Sequence, residues 1–132
     1  VNLNKKSFLT IPKINLINAP IKQGTSNQIL ENYIGHFETT SYDKGNIGLA
    51  AHNRGYTKNY FENINKLKNG DLIIYENDKI KRNYIVNSIE IIDSYDWSKL
   101  ENTNFNVITL ITCVDNMPNK RLCVQAKEME EI

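Results

Sequence analysis

Three side chains in this sequence have the types needed for acyl chemistry: a histidine at position 52, a cysteine at 113 and an arginine at 121. Thiol catalysis needs a nucleophile, a group to carry its proton, and donors for the oxyanion that develops on the attacked carbonyl. Cys113 is the candidate nucleophile and His52 the candidate proton carrier. Arg121 suits the third role, because its charge does not titrate and its N–H groups form a fixed fork. A free thiol is only slightly ionised near neutrality, and a thiol beside a fixed positive charge is in the setting that favours the thiolate. The plainer reading of the same residues is a buried structural thiol, a hydrogen-bonded histidine and a surface guanidinium.

The elements around these residues bear on the choice. Residues 107–124 read VITLITCVDNMPNKRLCV. The apolar and β-branched run 107–112 predicts a strand buried on both faces, ending on Cys113. Seven residues rich in turn formers follow, among them Asp115, Asn116, Pro118 and Asn119. A second strand, 121–126, puts Leu122, Val124 and Ala126 on one face and Arg121, Cys123 and Gln125 on the other. Residues 46–51, NIGLAA, predict another interior strand, whose small residues permit close backbone approach. It ends on His52, Asn53, Arg54 and Gly55. Two apolar strands therefore run out at chemically capable residues, and those ends can face one another.

The rest of the chain supplies further strands. Residues 1–10 read as a polar lead-in. Residues 11–17 alternate, and Pro12 marks them as an edge or early strand. Residues 19–24 read as a turn leading to a short helix or strand at 26–30. Gly35 and Gly45 bracket a polar loop, 36–44. Tyr60, Ile64 and Leu67 recur at helical spacing, so 57–68 is expected to be a short amphipathic helix with Thr57 near its cap, stopped by Asn69-Gly70. Residues 71–75 and 81–92 read as strands joined by a hairpin-type turn. A polar connection, 93–104, carries the single tryptophan, Trp97. The tally is seven or eight strands with one or two short helices: a mainly β chain, closed or nearly closed into a barrel.

Composition narrows the classes. At 132 residues the chain is expected to be one domain, residues 1–132. A net charge of +1 gives no support to nucleic-acid binding, since there is no basic excess to release counterions. No segment approaches the roughly 18–20 apolar residues of a membrane span. Val1 is not a natural start, so an upstream segment is expected. The 2 cysteines form no CxxC pair, which speaks against a disulfide scaffold, and four zinc ligands at sensible spacing cannot be assembled. No cofactor and no metal site are expected.

Taken together, these residues resemble the sortases, cysteine transpeptidases of Gram-positive bacteria. ITLITC, 108–113, is similar to the family's TLxTC active-site strand, and Arg121 opens an RLxV-like strand where the family keeps its arginine. GNIGLAAHN, 45–53, resembles the strand that ends in the family's histidine. Phe61, Leu67 and the Gly70-Asp71 pair follow as in its F-x-x-L…GD segment, and IPKI at 11–14 with API at 19–21 fits its first strand. The resemblance covers nearly the whole chain after the first ten residues.

The resemblance implies an eight-stranded sortase barrel with His52, Cys113 and Arg121 as catalytic residues. Cys113 would cleave an LPxTG-like sorting signal after its threonine, giving a thioacyl-enzyme resolved by an amine of a peptidoglycan precursor or a pilin. Thr112 would line the pocket, with Ala51, Asn53 and Asn116 as further candidate substrate contacts. An N-terminal anchor outside this sequence would hold the domain on the extracellular face of the membrane. The Gly35-His36-Phe37 element and the short Cys113–Arg121 loop look most like class D, with class B or a related clostridial subgroup next.

Other residues read more plainly. Ala51 replaces a glycine common in the family, and no acidic cluster stands out as a calcium site. His36 reads as structural or solvent-facing, with a role in the substrate groove as the alternative. Cys123 reads as a bystander at the groove edge, with a disulfide to Cys113 as the alternative. Tyr95 and Trp97 read as packing on the barrel flank. Asn53 and Asn116 read equally well as turn formers. Two rival functions remain: a cysteine peptidase that only hydrolyses, and a non-catalytic β-barrel binding module. Histidine well before cysteine excludes a papain-like order.

Overall fold

The computed structural model describes residues 6–129. Eight strands close into one barrel: β1 (Ser7–Ile11), β2 (Leu16–Gln23), β3 (Ile34–His36), β4 (Asn46–Ala50), β5 (Leu72–Glu76), β6 (Lys81–Asp93), β7 (Val107–Val114) and β8 (Met117–Glu128). Around the barrel the order is β1, β2, β3, β4, β7, β8, β6, β5, and β5 returns to β1. The pairs β2/β3 and β4/β7 are parallel and the rest antiparallel. One four-residue helix, α1 (Asn27–Leu30), has Ser26 as its cap, whose hydroxyl accepts from the Ile29 N–H at 3.3 Å. The expected β class and closed eight-stranded barrel are what the structure shows.

Alternation fills the interior. In β5 every second residue, Ile73 and Tyr75, is buried, and Leu9 and Ile11 of β1 join them with Tyr84 of β6. The strands β4 and β7 depart from this period. Asn46, Ile47, Gly48 and Leu49 are all buried, as are Val107, Ile108, Thr109 and Leu110. Their outer face is covered by loops: a Cβ on Gly48 would stand 2.7 Å from Leu100, 3.0 Å from Thr40 and 3.2 Å from Phe37. The unbroken apolar runs of the sequence reflect that second cover.

Four expectations are corrected. Residues 7–10 belong to β1, whereas residues 1–5 of the expected lead-in lie outside the described residues. The strand expected at 11–17 is broken by a 3₁₀ turn at Pro12–Ile14, with Asn15 left-handed (φ 56). The turn expected at 19–24 is mostly strand β2: Pro20 sits opposite Phe8, and the pairing with β3 begins only at Ile21, so the missing N–H of Pro20 interrupts no ladder there. The helix expected at 57–68 is a run of turns ending in the 3₁₀ segment Ile64–Lys66. Side chains compete with helical hydrogen bonds here. Asn59 both accepts from the Tyr56 N–H (3.2 Å) and donates to the Tyr56 carbonyl (2.7 Å), and the Phe61 N–H is taken by the His52 carbonyl at 3.1 Å. The apolar residues still point inward, with Phe61, Ile64 and Leu67 all buried.

Candidate active site

Strand pairing brings the two sequence-distant ends together. β4 and β7 run parallel in the register Asn46↔Val107 through Ala50↔Ile111. Two residues beyond the last pair, one on each strand's course, come His52 and Cys113. The ends are clasped. Thr112 Oγ1 donates to the Ala51 carbonyl at 2.7 Å, the Ala51 N–H reaches the Ile111 carbonyl at 3.4 Å, and Asn53 Nδ2 donates to the Cys113 carbonyl at 2.9 Å. Arg54 pairs with Asp115 at 3.0 Å, but both are more than half exposed. Such a pair contributes about 0–1 kcal/mol, so the buried Thr112 bond is the firmer clasp.

Cys113 stands directly opposite Arg121 in the antiparallel β7/β8 pair. The next pair is Val114↔Met117, so one step along β7 is matched by four along β8. Residues 118–120 therefore bulge, and bulges recur beside active sites because they re-aim side chains. Arg121 Nη1 donates to the carbonyls of Pro118 (3.0 Å) and Lys120 (2.8 Å). The other N–H groups of the fork have no hydrogen bond among the described residues. The expected seven-residue loop is thus corrected to a two-residue turn, Asp115-Asn116, followed by this bulge.

A groove of about 590 Å³ takes in His52, Cys113 and Arg121 together with Ala51, Asn53 and Thr112. A slightly larger cavity of about 660 Å³ lies around Arg82, Phe105 and Lys127, but it holds neither histidine nor cysteine and so lacks a nucleophile–base pair. Among the described residues no three of His, Cys, Asp and Glu converge to hold a metal.

His52 is half-buried, and the Tyr56 ring lies flat on its imidazole, with centroids 3.5 Å apart and planes 7° apart. Its Nε2 is buried and has no hydrogen-bond partner among the described residues. Burial holds the imidazole below its usual pKa, partly offset by the Glu31 charge. Cys113 is exposed and free of any disulfide.

Other expectations fall elsewhere. Asn116 is left-handed (φ 63) in the hairpin turn, beyond the groove wall, which is turn geometry rather than a groove contact. His36 is buried in β3, its Nδ1 2.7 Å from the Gln23 side-chain amide and its Nε2 2.8 Å from the Ser41 carbonyl. It is structural, neither solvent-facing nor on the groove. Cys123 is 1% exposed, so it is a core residue and not a groove-edge bystander, and it too is free. Burial pushes its thiol up to about 12.

Tyr95 and Trp97 overturn their expectation. They are 85% and 61% exposed and line the groove with Leu100 and Phe37, Trp97 standing edge-on to Phe37 at 6.3 Å. Tyr56 was also missed. The available signal was two large aromatics in an otherwise polar connection, a composition that marks binding surfaces.

Comparison with known proteins matches residues 9–129 to the Sortase domain. The chain is 29% identical over 131 residues to Sortase A of Bacillus anthracis, an alignment covering 97% of this chain and 62% of that protein. Among solved structures it resembles the pilus-related Sortase C of Group B Streptococcus at a TM-score of 0.88 and 29% identity, covering 98% of this chain and 70% of the other. It also resembles the Sortase D5 transpeptidase of Clostridium perfringens at a TM-score of 0.84 and 30% identity, covering 95% and 79%.

Proposed function

This chain belongs to the sortase family, and from that premise we propose that it is a cysteine transpeptidase acting through Cys113, His52 and Arg121. The observation that carries the reading is the placement of His52 and Cys113 at the clasped ends of parallel neighbours, with Arg121 opposite Cys113 and all three on one groove.

The chemistry follows from the surroundings. A histidine held below its usual pKa is neutral near pH 7, so His52 takes the Cys113 proton and the thiolate attacks the carbonyl of the threonine in an LPxTG-like signal. Arg121, its fork steadied by the Pro118 and Lys120 carbonyls, donates to the oxyanion. His52 returns the proton to the departing amide nitrogen, leaving a thioester on Cys113. An incoming amine gives its proton to His52 and forms the new amide as the thiolate leaves. Thr112 holds the Ala51 carbonyl and so fixes the spacing of the two strand ends.

The substrate reading places the sorting signal against Tyr95, Trp97 and Leu100, which supply the apolar wall. The acceptor is an amine of a peptidoglycan precursor or a pilin, and the single domain of residues 1–132 works at the extracellular face of the membrane through an N-terminal anchor. Among the described residues no helix is long and apolar enough to cross a membrane. We assign the chain nearest class D, from the short Cys113–Arg121 connection and the Gly35-His36-Phe37 element.

Mass spectrometry of the domain with a panel of LPxTG-type peptides, with and without triglycine, tests the reading. An acyl adduct on Cys113 and a ligated product that requires the amine are expected. Cleavage that ignores the amine would make it a hydrolase, and no adduct with any peptide would sink the proposal.

A further inference from the structure

Thr109 lies four residues before Cys113 on the same strand and is fully buried, so it cannot touch a substrate. Its hydroxyl is nevertheless wired. Thr109 Oγ1 donates to Asn46 Oδ1 at 2.7 Å and accepts from Gln125 Nε2 at 3.1 Å. Asn46 Nδ2 then donates to the carbonyls of Lys99 (2.8 Å) and Glu101 (3.0 Å), and Gln125 Nε2 also reaches the Lys99 carbonyl at 3.1 Å. Thr109 Oγ1 lies 3.4 Å from that same oxygen, but a hydroxyl has one proton, and the shorter bond to Asn46 takes it.

Side chains from three adjacent strands, β4, β7 and β8, therefore form one network on the backbone of one loop, with Asn46 and Gln125 donating to its carbonyls and Thr109 joining the two. That loop is the one that carries the groove's aromatic wall. Lys99 and Leu100 belong to the 3₁₀ turn Ser98–Leu100, whose cap is Trp97, and the Leu100 N–H bonds the Trp97 carbonyl at 3.0 Å. Leu100 sits over Gly48, where any Cβ would collide with it. Nothing about a barrel requires polar groups at Asn46 and Thr109. Both are fully buried, and apolar residues there would cover the strands as well while leaving the loop carbonyls without donors.

We infer that Asn46, Thr109 and Gln125 form a latch that positions Trp97 and Leu100 as the preformed substrate wall of the groove, making them positioning residues for donor recognition. The inference rests on the transpeptidase reading for its substrate, and on geometry alone for the latch. A buried, fully connected network has one arrangement and little freedom to yield. A wall fixed beforehand spares the peptide the cost of ordering it on binding.

The test uses Trp97, the only tryptophan, as its own reporter. Thr109→Val keeps the shape and removes the hydroxyl. Expected are an acrylamide quenching constant for Trp97 raised about 2-fold and a KM for the sorting peptide raised about 10-fold, with kcat and Cys113 alkylation by iodoacetamide held within about 2-fold. Thr109→Ser should restore both. If Thr109→Val does not fold, Gln125→Leu at a half-exposed position reads the same two quantities. Wild-type quenching and KM in the variant would overturn the latch, and so would a parallel loss of KM, kcat and alkylation, the mark of general destabilisation. Failure of the transpeptidase reading looks different: the wild type would acylate no peptide while the Trp97 quenching shift remained.

Discussion

The molecule holds two histidines and two cysteines, and it treats the members of each kind in opposite ways. His36, the last residue of β3, and Cys123, inside β8, are 3% and 1% exposed. His36 has partners at both ring nitrogens, and the Cys123 thiol is pushed up to about 12 by burial, which keeps it un-ionised and inert. His52 and Cys113 lie where β4 and β7 run out. Cys113 is exposed, and His52 keeps a ring nitrogen with no partner among the described residues. Residue type is the same in the two regions. What differs is enclosure: Gln23 and Ser41 close around His36 and the flanking strands β6 and β7 around Cys123, while His52 and Cys113 open on the groove. Unspent hydrogen-bonding capacity marks the reactive region.

The sharpest way to break this comparison is to exchange the roles of the cysteines. Cys113→Ala should abolish the peptide adduct and lower turnover by at least about 10³-fold, the scale of losing a covalent nucleophile. Cys123→Ala should leave turnover near wild type and lower only stability. A turnover loss in Cys123→Ala comparable to that of Cys113→Ala, measured on variants of matched melting temperature, would erase the distinction.

The histidines give the next largest effect. His52→Gln should reduce turnover about 10²–10⁴-fold, the usual reach of general acid–base catalysis. His36→Gln should cost stability instead, about 1–3 kcal/mol for the hydrogen bonds it disturbs in a buried site. Chemical denaturation and peptide kinetics on the same two variants separate the roles. Equal kinetic losses would show that His36 acts on the chemistry as well.

How much of this was legible follows from where the information lies. The double-faced burial of β4 and β7 is written in their apolar runs, and so is the placing of His52 and Cys113 at the ends. Strand β2 was hidden because Pro20 and Gly24 look like a turn, and only its partial pairing with β3 makes the proline harmless. The spacing of Tyr60, Ile64 and Leu67 read as a helix because inward-pointing residues in a loop can share that period, while Asn59 was quietly capturing the backbone. The latch on the Lys99 carbonyl joins residues 46, 99, 109 and 125, and no local pattern links positions so far apart. Trp97 and Tyr95 were legible as aromatics but not as a wall, because what faces them is set by that latch.

The smallest effect concerns acid. Burial lowers the pKa of both histidines, and for a base this fixes the sign. Near the unfolded value of about 6.5, the unfolded chain takes up protons that the folded site refuses. Stability is therefore full above that pH and declines as pH falls through the window between the unfolded and folded values. The exposed carboxylates Glu90 and Asp96 are also held below their usual range, by Lys99 and by Ser98 respectively, but they titrate at lower pH and sit in solvent. His36 is the more enclosed of the two histidines, and the Ser41 carbonyl that accepts from its ring only partly offsets burial. Melting temperatures of wild type and His36→Gln, followed from pH 7.5 to 5, should converge on acidification, because the wild type alone loses the contribution of a neutral His36. A constant gap across that range would mean that His36 takes a proton as readily folded as unfolded, and its enclosure would then have no electrostatic consequence.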